Sequence, residues 1–278
     1  MFKSLALLVL SGALVACQNP RLALEELAAS NRYRVSDHTL ADLPLVQLRS
    51  LNLKTNQIRL RVYIEGDGRA WITQSQPSLD PSPHNLLMPK LAVADLQPNV
   101  YLGRPCQFLR NEKCLVPLWT SARFGEAVLA TMHLALDKLR EEFKNTEFEL
   151  VGYSGGAAIA LLLAAQRDDV KKVQTIAGNL SPSLWVKLHK LTPLNNSKDP
   201  LTYAQQLQHV AQRHFVGALD INISLELFRL YIQQLAPLPD CMERVDVAHA
   251  DHGSGWQEVW QANVNRPIRC MSKSELMR

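Results

Sequence analysis

The short apolar run Phe148 to Val151 stops abruptly at Gly152-Tyr153-Ser154-Gly155-Gly156, and an alanine- and leucine-rich run to Leu163 follows at once. A strand, a tight turn and a buried helix fit this pattern, with no residues left over for a linker. Glycine is scarce, at 12 residues in 278, yet three fall within these five positions. Glycines two residues either side of a serine suit a crowded, strained turn in which Cβ atoms would collide.

Before the turn, β-like texture runs through Tyr33 to Ser36, Leu45 to Leu51, Gln57 to Ile64 and Asn99 to Gly103. Alternation in the second and third of these predicts strands with one wetter face near the sheet edge. Asn85 to Ala94 reads as a helix interrupted by Pro89. Ser121 is the predicted N-cap of a long helix to Lys144, with Val128, Met132, Leu136 and Leu139 as its apolar stripe. Beyond the turn come strands at Val170 to Gly178, His214 to Asp220 and Met242 to Ala248, a helix at Ser224 to Leu235 and a last helix from Gln257. Residues 181–208 are polar and broken by prolines, which predicts a small insertion over the sheet, suited to a lid. Alternating strands and helices imply an α/β class: a mostly parallel central sheet with an antiparallel start and helices on both faces.

A serine on this turn sits at a helix N-terminus, where free N–H groups and the helix dipole favour developing negative charge. Gly-x-Ser-x-Gly in a strand–turn–helix setting presents a serine as nucleophile. Such a serine needs a base to take its proton and an acid to orient that base. Both follow it here, each beyond a strand. Asp220 is the expected acid, because Gly178-Asn179 ends the preceding strand without a carboxylate, Asp246 lies inside a strand and Asp251 adjoins the histidine. His252 is the expected base in preference to His249, since Gly253-Ser254-Gly255 gives it freedom to reach the serine. His38, His84, His133, His189, His209 and His214 read as surface or packing residues. A tetrahedral intermediate also needs two N–H donors. Gly155 is expected to supply one and Asp67, in Gly66-Asp67-Gly68, the other, with Gly66 as the alternative.

The N-terminus predicts export. Lys3 precedes the apolar run Leu5 to Leu10, and small residues lead to Cys17. This is the form of a secretory signal, too short to span a membrane comfortably. Leu14-Val15-Ala16-Cys17 resembles the lipobox of bacterial lipoproteins, which implies cleavage after residue 16 and lipidation of Cys17. Gln18 after that cysteine resembles an outer-membrane address. Residues 17–30 are then a tether, with a short helix within it, and residues 31–278 the folded domain. Without residues 1–16 the formal charge is 29 − 26 = +3. No basic tract or aromatic-basic alternation points to nucleic acid, and no protein partner is predicted. Four cysteines remain for an oxidising compartment. They allow three pairings, of which Cys106–Cys114 and Cys241–Cys270 are favoured, each closing a surface excursion. No Cys or His spacing suggests a metal, and no cofactor is expected.

Over nearly all its mature length the chain resembles the α/β-hydrolase superfamily. Ile-Glu-Gly-Asp-Gly-x-x-Trp (Ile64 to Trp71), Gly-Tyr-Ser-Gly-Gly and the late Asp and His resemble a group of bacterial lipoprotein hydrolases. Glu65 stands where the common His-Gly pattern of the superfamily has histidine. The resemblance implies a membrane-anchored serine hydrolase facing the periplasm, acting on an ester through an acyl-enzyme. A peptidase or acyltransferase with the same triad, or a non-catalytic lipoprotein scaffold, are the alternatives.

Overall fold

The computed structural model describes residues 19–73 and 75–278, so the predicted signal segment and Cys17 lie outside the described residues. The elements in chain order are α1 (Pro20–Ser30), β1 (Tyr33–Leu40), β2 (Leu43–Ser50), β3 (Arg59–Ile64), α2 (Leu87–Ala94), β4 (Asn99–Leu102), α3 (Glu126–Phe143), β5 (Glu147–Tyr153), α4 (Gly155–Ala165), β6 (Val170–Ile176), α5 (Pro182–Leu188), β7 (Ala211–Gly217), α6 (Leu225–Gln234), β8 (Met242–Val247), α7 (Gln257–Asn263) and α8 (Lys273–Met277). The strands form one sheet in the order β1-β2-β4-β3-β5-β6-β7-β8. Pairings β1–β2 and β2–β4 are antiparallel, and every pairing from β4 through β8 is parallel.

Side-chain alternation along the central strands divides the core in two. Leu60, Val62 and Ile64 of β3, with Phe148 and Leu150 of β5, pack against α3, α4 and α6. Tyr63 and Val151 point the other way, into a second core with α1, α2 and α7. Every residue of α4 from Gly155 to Ala164 is buried, which explains its nearly uninterrupted apolar run.

Four expectations are corrected. The segment read as a tether is part of the domain from Pro20 onward, because Leu24 and Ala28 of α1 are buried in the second core; full burial of one such leucine stabilises by about 2 kcal/mol. β3 lies mid-sheet, not near an edge, between β4 and β5. Its charged face is satisfied internally: Arg61 donates to Asp95 at 2.5 Å and pairs with Glu149 at 3.1 Å. Helix α3 starts at Glu126 with Gly125 as N-cap, while residues 121–124 form a turn. That turn sends Arg123 inward. Pro89 does not break α2, since it sits in the first turn, where its missing N–H costs no helical bond.

The disulfides Cys106–Cys114 and Cys241–Cys270 are both formed. The first is less superficial than expected. Cys106, Cys114 and Trp119 make a small buried cluster with Leu43 and Ala70. Gln107, within its loop, donates to the Gly66 carbonyl at 3.0 Å and accepts from the Arg104 N–H at 2.9 Å.

Candidate active site

Ser154 joins the end of β5 to the start of α4 with φ 50° and ψ −122°, a left-handed-side conformation that costs on the order of 1–3 kcal/mol for a residue with a side chain. Its neighbours permit the turn by lacking side chains. A Cβ on Gly152 would overlap the backbone of Gly156 and Ala157, and one on Gly156 would lie 2.5 Å from the carbonyl oxygens of Ile64 and Glu65. The serine is thereby pressed against the carboxyl ends of β3 and β5.

Asp220 and His252 reach it from the ends of β7 and β8. Asp220 is buried, and its Oδ1 accepts from the N–H groups of Asn222 at 2.9 Å and Ile223 at 2.8 Å. Its Oδ2 lies 2.8 Å from Nδ1 of His252, and Nε2 of His252 lies 3.0 Å from Oγ of Ser154. The carboxylate at Nδ1 favours the tautomer with the proton there, leaving Nε2 as the acceptor for the serine hydroxyl. His249 is exposed on the same loop and takes no part.

Tyr153 and Asn222 belong to this arrangement and were not singled out from the sequence. The Tyr153 hydroxyl donates to the His252 carbonyl at 2.8 Å, and the two rings are 5.4 Å apart. Asn222 holds its amide Oδ1 on the Trp185 indole N–H at 3.1 Å, which turns Nδ2 toward Nε2 of His252 at 3.4 Å. Tyr153 adjoins Ser154 in the turn, a position that could have drawn attention. Asn222 had no such signal.

Behind the serine, the Gly66 loop carries more charge than its glycines suggest. The Gly66 N–H donates to the Glu65 carboxylate at 2.8 Å, so this alternative oxyanion donor is already engaged. The Asp67 N–H has no hydrogen-bond partner among the described residues, and the Gly155 N–H opens α4, where no earlier turn can use it. The Asp67 carboxylate lies against Gly155, where a Cβ would overlap it. It is clamped by Arg104 at 3.1 Å and Arg123 at 2.6 Å. Burial would raise the Asp67 carboxyl, but Arg123 and then Arg104 outweigh it and hold the group below its usual range. Burial dominates at Glu65 and pushes it up to about 7, against the opposing pull of the Gly66 N–H and the Tyr101 hydroxyl.

Ser154, His252 and this loop line one cavity of about 570 Å³, open to solvent, with Trp71, Trp185 and Arg123 on its walls and Asp220 buried behind His252. Trp185 comes from α5, so the segment predicted as a lid does contribute to the cavity wall. His84 also lines it, and Nε2 of His189 donates to the Asn222 carbonyl at 2.8 Å. His84 is exposed and His189 packs on Trp185, as surface and packing residues, and both stand beside the cavity. Among the described residues, no group of three or more His, Cys, Asp or Glu side chains stands where it could hold a metal ion.

No protein-family model matches the chain, and no curated protein matches it in sequence. Solved structures do share its architecture. An esterase from Pyrococcus furiosus superposes with a TM-score of 0.59 at 13% identity, covering 86% of this chain and 91% of the other. The esterase domain of a Rhodothermus marinus protein gives 0.53 at 14% identity, over 84% and 95%. An acylaminoacyl peptidase from Pyrococcus horikoshii gives 0.58 at 11% identity, over 88% of this chain and 44% of that one. With its strand order, its single antiparallel end and these likenesses, the chain has the α/β-hydrolase fold.

Proposed function

We propose that the protein is a serine hydrolase that cleaves a carboxylic ester through an acyl-enzyme. The observation that carries this reading is the continuous chain of contacts from Asp220 through His252 to Ser154, at 2.8 and 3.0 Å, at the floor of an open cavity. Ser154 attacks the acyl carbonyl as Nε2 of His252 takes its proton. Asp220 holds the imidazole in place and stabilises its charged form. The N–H groups of Gly155 and Asp67 receive the developing oxyanion. His252 then returns the proton to the leaving alcohol, and water, activated by the same base, releases the acid. Two of the three likenesses described are esterases, which favours an ester over an amide substrate; the third, a peptidase, makes amide cleavage the second reading.

The test is hydrolysis of short-chain nitrophenyl esters and of the matching anilides by the wild type and by Ser154→Ala. Ester turnover that disappears in the variant supports the reading. Unchanged turnover in the variant would remove Ser154 from its role, and preferential anilide cleavage would select the peptidase reading.

The proposal extends to location. Leu14-Val15-Ala16-Cys17 supports cleavage before Cys17 and its lipidation, with the enzyme held on the periplasmic side of the outer membrane. Because α1 begins at Pro20, almost no slack would separate the lipid from the domain. Cys17→Ala should move the protein from the membrane fraction to the soluble one; equal partition of both forms would remove the anchor.

A further inference from the structure

Arg104 and Arg123 share a single carboxylate, that of Asp67, so 2 − 1 leaves one positive charge beside Ser154. The two arginines are not equivalent. Arg104 is enclosed, with Nη1 on Asp67 and Nη2 on the Arg123 carbonyl. Arg123 lines the cavity. Its Nε donates to the Thr120 carbonyl at 2.8 Å and its Nη1 to Asp67 at 2.6 Å. A guanidinium has five N–H donors; two are committed, so three, including both on Nη2, have no partner among the described residues. The Trp185 ring flanks the guanidinium with its centroid 5.8 Å away, which fixes the group in position and limits its hydration.

Arg123 shares the cavity with Ser154 and His252, so its charge faces a bound substrate. The leaving group must depart beside Nε2 of His252, which returns its proton. Arg123 is joined through Asp67 to the N–H groups of Asp67 and Gly155 that are proposed to receive the oxyanion, and its flanking Trp185 is held by Asn222, whose amide stands beside Nε2 of His252.

We propose that the substrate carries a second, free carboxylate bound by Arg123 through its unused N–H groups, and we assign it to the acyl group, so that the preferred substrates are hemiesters of dicarboxylic acids. A guanidinium presenting parallel N–H bonds to a planar carboxylate is a strong, directional pairing. Glu65, the other acid on this wall, is held towards its neutral form by burial and offsets little of the charge below about pH 7. The inference rests on Ser154 being the nucleophile.

The experiment compares kcat/KM for nitrophenyl hemiadipate with that for its neutral counterpart, the nitrophenyl methyl diester of adipate, after subtraction of spontaneous hydrolysis. Wild type should prefer the hemiester by about tenfold or more. In Arg123→Gln that ratio should fall by at least about tenfold, whatever happens to the absolute rates. A wild-type ratio at or below one would overturn the carboxylate assignment while leaving the serine hydrolase reading intact. So would an Arg123→Gln variant that slows both esters equally, since Arg123 would then be acting only on Asp67 and the oxyanion. Absence of turnover on both esters, with no fluorophosphonate adduct at Ser154, would instead overturn the reading beneath it.

Discussion

Nε2 of His252 lies 3.0 Å from Oγ of Ser154, although 98 residues separate them in the chain. The sheet makes the meeting: β5 ends at Tyr153, β8 ends at Val247, and the parallel strands between them bring both carboxyl ends to one rim.

Asp220→Asn should keep the fold and lose most of the rate. The buried carboxylate sets the His252 tautomer, and an amide in its place can present an N–H to Nδ1 and reverse it. We expect kcat to fall by about 10³- to 10⁴-fold with KM changed only a few-fold, measured by steady-state kinetics on a nitrophenyl ester. A loss confined to KM would contradict the assignment.

Two adjacent glycines should fail in different ways. In Gly155→Ala the new methyl meets the Asp67 carboxylate, a side chain beside the N–H groups proposed to receive the oxyanion. The expected result is a drop in kcat/KM of about 10²-fold or more with little change in unfolding midpoint. In Gly156→Ala the methyl meets the carbonyls of Ile64 and Glu65 at 2.5 Å, which cannot move without displacing β3. That variant should lose about 1–3 kcal/mol in urea unfolding.

Much of this site can be read along the chain because its parts are local. Gly152 to Gly156 encode their own turn, and Asp220 and His252 each follow a recognisable strand. The arginine clamp on Asp67 could not be read that way. Arg123 lies 56 residues from its carboxylate, in a turn whose residues also suit the first turn of α3. Arg61 misled for a related reason: alternating arginines look solvated until Asp95 and Glu149 are found opposite them. Leu24 and Ala28 gave too short an apolar stripe to show that α1 packs on the sheet.

Glu65 should leave a signature in stability against pH. The folded chain keeps its proton up to about pH 7, while an ordinary glutamate releases it near 4.5. Between those values the folded state binds more protons than the unfolded one, so stability falls as pH rises through the window. The shift corresponds to about 3 kcal/mol. Glu65→Gln lacks this proton, and its advantage over wild type in urea unfolding should grow from pH 4.5 to 7 and then level off. Parallel curves for the two proteins would contradict the raised carboxyl.

The two disulfides should differ in worth. Cys106–Cys114 spans 8 positions and Cys241–Cys270 spans 29. Loop-closure entropy puts them at about 2.5 and 3.5 kcal/mol respectively. Paired serine substitutions at each bridge, compared by chemical unfolding, should show the larger loss at Cys241 and Cys270.

The most direct measurement is the site of covalent capture. A fluorophosphonate probe, followed by proteolysis and mass spectrometry, should place one adduct on the peptide containing Ser154. Labelling should vanish in Ser154→Ala and be strongly slowed in His252→Ala. An adduct on another residue, or labelling that persists undiminished in Ser154→Ala, would contradict the account.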